Sequence, residues 1–440
     1  MRWPWAAWGA SPERAGELRP PPPALNRGRA GVFGSEAGLA ARWELPVGAS
    51  TLFVGRTGGQ RAMTERSNDF LVFGAPVLDE QDVAAVARPL RTGWIGPGPE
   101  VEAFQREFAA FVEAFGGVAV TSCTAALHLA LLTLDLRPSE EVITTPLTFP
   151  ATANAIVHAG GTPVFADVRR DGNINPDRVE EAVGARTRAV IPVHYAGLPC
   201  DMDRLRVLVD RYRIAFVCDA AHAIEARWRG RGLGSYGTAA YSFYATKNLA
   251  TGEGGMLTST DPHLLGRAAL LSQHGATRNA WARFGGGDQG GYQVVEPGLN
   301  YALPDILASL GRSQLRSIRD RHRRRTEIAA RYDGLLLGGP VLTPPTGLPH
   351  STHARHMYPV LAEDGGARDR LRQQLFDQGI GTGVHFEPVH LHPWYRRRFG
   401  YGRGDFPVAE DLGERTFSLP LSPGLQDGDV EHVAKAILNA

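Results

Sequence analysis

Ala240-Tyr-Ser-Phe-Tyr-Ala-Thr-Lys-Asn-Leu-Ala-Thr-Gly-Glu-Gly-Gly255 is a short apolar, aromatic run that ends in a polar turn and then in glycines. Its lysine is one of only two in the chain, Lys247 and Lys435; every other basic residue among the 47 is arginine. Arginine serves wherever positive charge alone is wanted. A lysine kept in the chain interior calls for something guanidinium cannot do, namely to exist as a neutral amine and form a Schiff base. The competing reading is a solvated loop lysine, and the surrounding sequence has to decide between them.

On both sides of this stretch, short β-rich runs alternate with helical ones. Val118-Ala-Val-Thr121 precedes a helix from Thr124 to about Leu134. Glu141–Thr145, Thr162–Ala166, Ala189–Val193 and Ile214–Cys218 follow at intervals that leave room for helices. The spacing predicts βαβ units around a mostly parallel sheet covered on both faces. Ala239–Phe243 and Gly255–Ser259 read as a strand pair flanking the Lys247 loop. A long helix is predicted from about Asp305 to Leu336. Beyond it, Met357–Leu361, a helix over 367–378, a strand over Gly383–Phe386 and a last helix over 427–438 make a smaller α/β lobe. The predicted organisation is a leader over 1–62, a large domain over 63–315 and a small C-terminal domain over 316–440.

The 440 residues suffice for two such lobes, and 43% apolar with 21% charged residues is ordinary for a globular enzyme. A net charge of +1 gives no argument for nucleic acid or an anionic membrane surface. Cys123, Cys200 and Cys218 are widely spaced and form no Cys-x-x-Cys pattern, so neither a metal site nor a disulfide framework is expected and a reducing cytoplasm fits. Residues 1–62 hold four of the eight tryptophans, a Pro20–Pro23 run and no sustained period, which reads as a disordered leader or an over-extended gene start.

In an open parallel sheet, ligands bind beyond the carboxyl ends of the strands. Thr124 and Ala125 sit where a strand gives way to a helix, so their N–H groups can cradle an anion or simply open the helix. Asp219 ends an apolar run; it can cap the next turn or hold a buried cation such as a pyridinium nitrogen. Phe149 can be core or can stack on a flat ring. With a lysine able to form an imine, these make the parts list for pyridoxal phosphate.

With those residues in place, the sequence resembles the DegT/StrS family of sugar aminotransferases, among the fold-type-I pyridoxal-phosphate enzymes, from about Phe73 to the C-terminus. The motifs are Thr92-Gly-Trp-Ile-Gly96, Ser122-Cys-Thr-Ala-Ala-Leu127, Thr145-Pro-Leu-Thr-Phe149, Ile191–Gly197, Asp219-Ala-Ala-His222, Ser242–Asn248, Gly252-Glu-Gly-Gly255, His274-Gly275, Pro297–Tyr301 and His385–His390. The resemblance implies that Lys247 carries the cofactor and shuttles protons, and that Asp219 pairs with the ring nitrogen. Phe149 would stack on the ring, His222 would lie by its phenolic oxygen, and Thr124, Ala125 and Ser242 would hold the phosphate. Asn300 would reach the phosphate of a neighbouring subunit, giving a homodimer with shared sites. Trp94, Tyr195 and His385 would meet the substrate. Cys123 replaces the family's usual glycine or alanine, and only its backbone N–H is expected to matter.

L-glutamate is the implied amino donor, and a nucleotide-linked keto sugar the implied acceptor. The segments at Pro192–Asp203 and His385 resemble members acting on UDP-4-keto sugars, with a dTDP-keto sugar or an aminocyclitol precursor as the alternative. A non-catalytic pyridoxal-phosphate-binding regulator is the reading from another class, but residues 1–62 show no helix-turn-helix pattern. Arg316–Arg325 and Arg396–Arg398 invite a nucleotide-phosphate reading; the first lies on a helix at mixed spacing and is read in preference as a solvated face, and Phe284–Tyr292 is read as a substrate lid.

Overall fold

The computed structural model describes residues 70–277, 291–345 and 347–440. The expected leader and residues 284–290 of the expected lid lie outside the described residues.

Two helices that the sequence reading passed over come first, α1 (Glu80–Thr92) and α2 (Pro99–Val112). Both carry start signals. Asp79 and Asp82 form a reciprocal capping box on α1, and Pro99 opens α2. No side chain of its own caps α2. Asp305, 207 residues beyond Gly98, accepts instead from the N–H groups of Gly98 (2.8 Å), Val101 (3.0 Å) and Glu100 (3.2 Å).

Seven strands build the main sheet: β1 (Gly116–Val120), β2 (Glu141–Thr144), β3 (Thr162–Phe165), β4 (Thr187–Ile191), β5 (Ala215–Asp219), β6 (Thr238–Ser242) and β7 (Gly255–Ser259). Their spatial order is β1-β7-β6-β5-β4-β2-β3. Pairings from β6 across to β3 are parallel, while β7 runs antiparallel to both β6 and β1. Helices α3 (Cys123–Leu132), α4 (Ala151–His158), α5 (Pro176–Ala182), α6 (Met202–Tyr212) and α7 (Pro262–Leu271) flank it.

Alternate strand residues enter two different cores. Ile143, Val190, Cys218, Tyr241 and Met256 pack with Phe104 of α2 and Leu205 of α6. Val142, Ile191, Val217, Ala240 and Leu257 pack with Leu127 of α3 and Leu271 of α7. Burial on both faces is why these strands read as continuous apolar runs instead of alternating ones. The parallel strands also deliver their carboxyl ends to one edge, where the antiparallel β7 begins.

A 31-residue helix, α8 (Asp305–Leu335), links this sheet to a second core. Ala308 and Ile318 join the sheet core, whereas Ile328, Ala329 and Tyr332 join a cluster around β8 (Tyr358–Leu361), α9 (Gly365–Asp377), β9 (Thr416–Leu419) and α10 (Asp427–Leu438). The lobe boundary drawn at 315/316 therefore falls inside an unbroken helix. β8 pairs antiparallel with β9, a strand the sequence reading missed. The strand expected over Gly383–Phe386 does not form. Gly383 makes a single bridge to Ser418, His385 turns its ring back to Ser418 Oγ (2.9 Å), and Pro388 has no N–H to extend a ladder. Among the described residues, no helix is long and apolar enough to cross a membrane.

Candidate active site

The carboxyl edge of the sheet gathers residues that are far apart in sequence. Asp219, the last residue of β5, is buried, and its Oδ2 accepts from Thr152 Oγ1 (2.8 Å) while Oδ1 accepts from the Ala221 N–H (3.1 Å). Burial pushes its carboxyl above the usual range, against the pull of these donors and of Lys247. The tight turn after β6 carries Lys247, whose own N–H donates to Tyr244 O (2.8 Å). Loss of solvation brings the Lys247 amine down to about 8, with Cys123 and Asp219 pulling the other way. That shift moves the amine toward the neutral form a Schiff base requires.

At the end of β1, Ser122 caps α3 through Oγ, which accepts from the Ala125 N–H (3.1 Å). Cys123, Thr124 and Ala125 are the first-turn N–H groups with no backbone acceptor one turn back, and Ser122 Oγ meets that of Ala125. Gly255, the first residue of β7, lies against the same turn. A Cβ there would stand 2.4 Å from Ser122 C and 2.6 Å from Cys123 N, so only glycine lets the two backbones close up. Ser242, at the end of β6, is buried beside them. Cys123 is more than a backbone position, since its Sγ stands 4.0 Å from Asp219 Oδ1.

A histidine-rich wall faces Lys247. His222 packs its ring against His356 at 4.4 Å between centroids and against Phe386 at 6.1 Å. Burial and the Lys247 charge hold His222 and His356 well below the ordinary imidazole range, and His385 to about 4. His222 Nδ1 is buried with no partner among the described residues. Phe149 is 61% exposed, 6.2 Å from the Phe386 ring, so it is an uncovered aromatic at the mouth and not a core residue. Tyr195 is buried, and its hydroxyl donates to His385 O (2.6 Å), which makes it a prop for the His385 segment.

Two expected site residues stand on other segments. Trp94 lies on the α1–α2 turn, its indole Nε1 donating to Pro97 O (3.2 Å). Asn300 is exposed on a segment that runs beside the end of β1, where Thr121 N–H donates to Tyr301 O (2.8 Å). The sequence reading missed His356, Asn248's side chain and Glu225, and it misplaced Arg325. Arg325, read as part of a solvated face, is buried and ion-paired with the equally buried Glu225. Its position on α8 among residues that do face the interior, such as Ile318 and Ile328, was the available signal.

These residues fit pyridoxal 5′-phosphate. A partly neutral lysine, a buried carboxylate, a helix start with free amides, an uncovered aromatic ring and an unpartnered buried imidazole nitrogen each match one part of that molecule. A lysine and a carboxylate at the carboxyl edge of a large, mostly parallel sheet define a fold-type-I pyridoxal-phosphate enzyme. The chain belongs to the DegT/DnrJ/EryC1/StrS aminotransferase family, whose pattern matches residues 76–438. The spore coat polysaccharide biosynthesis protein SpsC of Bacillus subtilis is 44% identical over 381 residues, covering 85% of this chain and 98% of the relative. Spr1654 from Streptococcus pneumoniae, in its PMP-form, superimposes with a TM-score of 0.80 at 31% identity, over 84% of this chain and 98% of the other. Its PLP-form gives 0.79 at 30% identity over the same shares. Sugar aminotransferase CalS13 from Micromonospora echinospora gives 0.75 at 31% identity, over 83% and 98%.

Proposed function

We propose that this chain is a pyridoxal-phosphate-dependent sugar aminotransferase that moves an amino group from L-glutamate to a nucleotide-linked keto sugar, a UDP-4-keto-6-deoxyhexose or a related 4-keto sugar. The observation that carries the chemistry is the convergence of Lys247, Asp219 and the start of α3 on one edge of the sheet. The sugar assignment is supported by the likeness to SpsC and CalS13. The nucleotide and the 4-keto position rest on the Pro192–Asp203 and His385 segments.

When bound, pyridoxal phosphate supplies a carbonyl that captures amines and a conjugated ring that draws electrons from the bond being broken. Lys247 would hold it and, once released, would use the free amine to move a proton at the substrate carbon. Asp219 would keep a proton on the ring nitrogen. The amides at the start of α3, among them those of Thr124 and Ala125, and Ser242 would hold the phosphate, with Phe149 over the ring. Asn300, exposed in the single chain, suits a contact with a second copy, so the working unit is a homodimer in this reading.

The test is a pair of half-reactions on the full chain. Glutamate should convert the bound pyridoxal form to the pyridoxamine form, releasing 2-oxoglutarate. A panel of keto sugars is then offered to that form, and UDP-4-keto sugars should reoxidise it fastest. Preference for a dTDP-keto sugar or an aminocyclitol precursor would move the substrate assignment. No turnover with any amino donor, despite bound cofactor, would refute the enzyme reading.

A further inference from the structure

Behind Lys247 lies a polar chain, partly buried at Asn248 and fully buried at Glu225 and Arg325, that no step above uses. Lys247 Nζ is 3.4 Å from His356 Nε2, and His356 Nδ1 is 3.1 Å from Asn248 Oδ1. Asn248 Nδ2 donates both to Glu225 Oε2 (2.8 Å) and to Ala354 O (2.9 Å). Glu225 is paired with Arg325, and their side chains are only 3% and 2% exposed. The strand-like segment bearing His356 is pinned to the turn after β4: Ala354 N–H donates to Gly197 O (2.8 Å) and His356 N–H to Ala196 O (3.1 Å). Gly197, at φ +94°, permits this approach, since a Cβ would stand 3.0 Å from the Ala354 Cβ and 2.6 Å from His222 O.

The donors and acceptors in this chain admit one assignment. A carboxylate and a carbonyl oxygen only accept, so both must face the Asn248 NH₂ group. Turning the amide over would set its oxygen against two others. Asn248 Oδ1 therefore faces the imidazole, and His356 Nδ1 must donate to it. A neutral ring protonated at Nδ1 carries its lone pair on Nε2, and that atom faces Lys247. The ion pair with Arg325 holds Glu225 in place and so anchors the far end.

We propose that His356 is a positioning residue for Lys247: locked as the Nδ1–H tautomer by Asn248, Glu225 and Arg325, it accepts a hydrogen bond from the lysine amine and holds it facing the site. The proposal rests on the reading of Lys247 as the lysine that carries the cofactor. A lysine released from the cofactor would otherwise be free to swing on four methylenes, and a fixed acceptor keeps it within reach of the substrate carbon. Lys247 also faces Asp219 on β5, Cys123 on α3, and His222 and His385, all of which remain in the variants below.

Because the chain has two lysines, each can be followed separately. The full chain, both cofactor-free and loaded with pyridoxamine phosphate, is acetylated with limiting acetic anhydride across a pH series, and the Lys247 and Lys435 peptides are quantified by mass spectrometry. In the native sequence Lys247 should titrate well below Lys435. A neutral acceptor stabilises the ammonium form, so His356→Phe should lower the Lys247 midpoint by about one pH unit, the scale of one hydrogen bond to a charged group. His356→Gln, whose amide oxygen can take the place of Nε2, should restore it. A Lys247 midpoint unmoved by His356→Phe, relative to Lys435, overturns the proposal while leaving Lys247 as the cofactor lysine. Lys247 titrating together with Lys435, in a chain that takes up no pyridoxal phosphate, removes that underlying reading and this proposal with it. Should His356→Phe fail to fold, ¹⁵N-histidine spectra of the native chain still decide. The signals lost in His356→Gln must show the proton on Nδ1, and finding it on Nε2 overturns the assignment.

Discussion

Lys247 and Lys435 are the same side chain in opposite settings. Lys435 is exposed near the end of α10, where water solvates its charge and nothing in the fold depends on its being lysine. Lys247 is walled by Asp219, Cys123 and three histidines held neutral, and burial brings its amine to about 8. The contrast teaches that the environment, not the residue type, makes the nucleophile. It also explains why arginine could replace lysine elsewhere in the chain but not here.

Exchanging each lysine for arginine should separate the two most sharply. Lys247→Arg keeps charge and length, but guanidinium stays protonated to a pKa above ~12, so it can neither capture the cofactor's carbonyl nor shuttle a proton. Amine transfer from glutamate should vanish, and borohydride should trap no cofactor on the chain. Lys435→Arg should leave both measurements as they are. Appreciable transfer by Lys247→Arg would end the assignment, since Lys435 is the sole other lysine.

Asp219→Asn is the next largest effect. The amide fills the same space, and with its oxygen accepting from the Ala221 N–H its NH₂ can donate to Thr152 Oγ1, so the fold should survive. It carries no negative charge to hold a proton on a bound ring nitrogen, and turnover should drop by at least roughly 10²-fold, on the order of 3 kcal/mol. Near-native steady-state rates would reduce Asp219 to a cap for the turn that follows β5.

How much of this could be read from the chain alone differs by region. Lys247, Asp219, Phe149 and the turn before α3 were legible because each sits within a few residues of a strand end, and strand ends are marked locally by apolar runs. The sheet and its direction followed from the same runs. His356 and Arg325 were not legible, because what makes them part of the site is contact across 109 and 100 residues with Lys247 and Glu225. No local period records such a contact. Nor could spacing show that Gly383–Phe386 would bend away after one bridge while Thr416–Leu419 took the place beside β8.

The smallest effect concerns stability around Lys247. His385 titrates in the fold at about 4, and His222 and His356 lie well below their ordinary value. In the unfolded chain they bind protons near the usual ~6.5, so between those limits the unfolded state holds more protons and stability falls as pH falls. Asp219, raised by burial, works in the opposite direction. Lys247 adds no slope there, being largely protonated in both states below about 8. The buried His194 and His353 add to the same slope, so calorimetry should give a lower melting temperature at pH 5 than at pH 7; an unchanged or higher one would mean that the buried histidines are charged in the fold.

The loan of Asp305 to the start of α2 bears on how the chain finds this arrangement. A helix with its own cap can form wherever its sequence emerges, but α2 has its first amides satisfied by a residue 207 positions past Gly98. Closing so long a loop is entropically slow to achieve. The N-terminal turn of α2, and the Trp94 turn that leads into it, consequently reach their final state only when α8 docks. The start of α2 thus depends for its cap on α8 being in place.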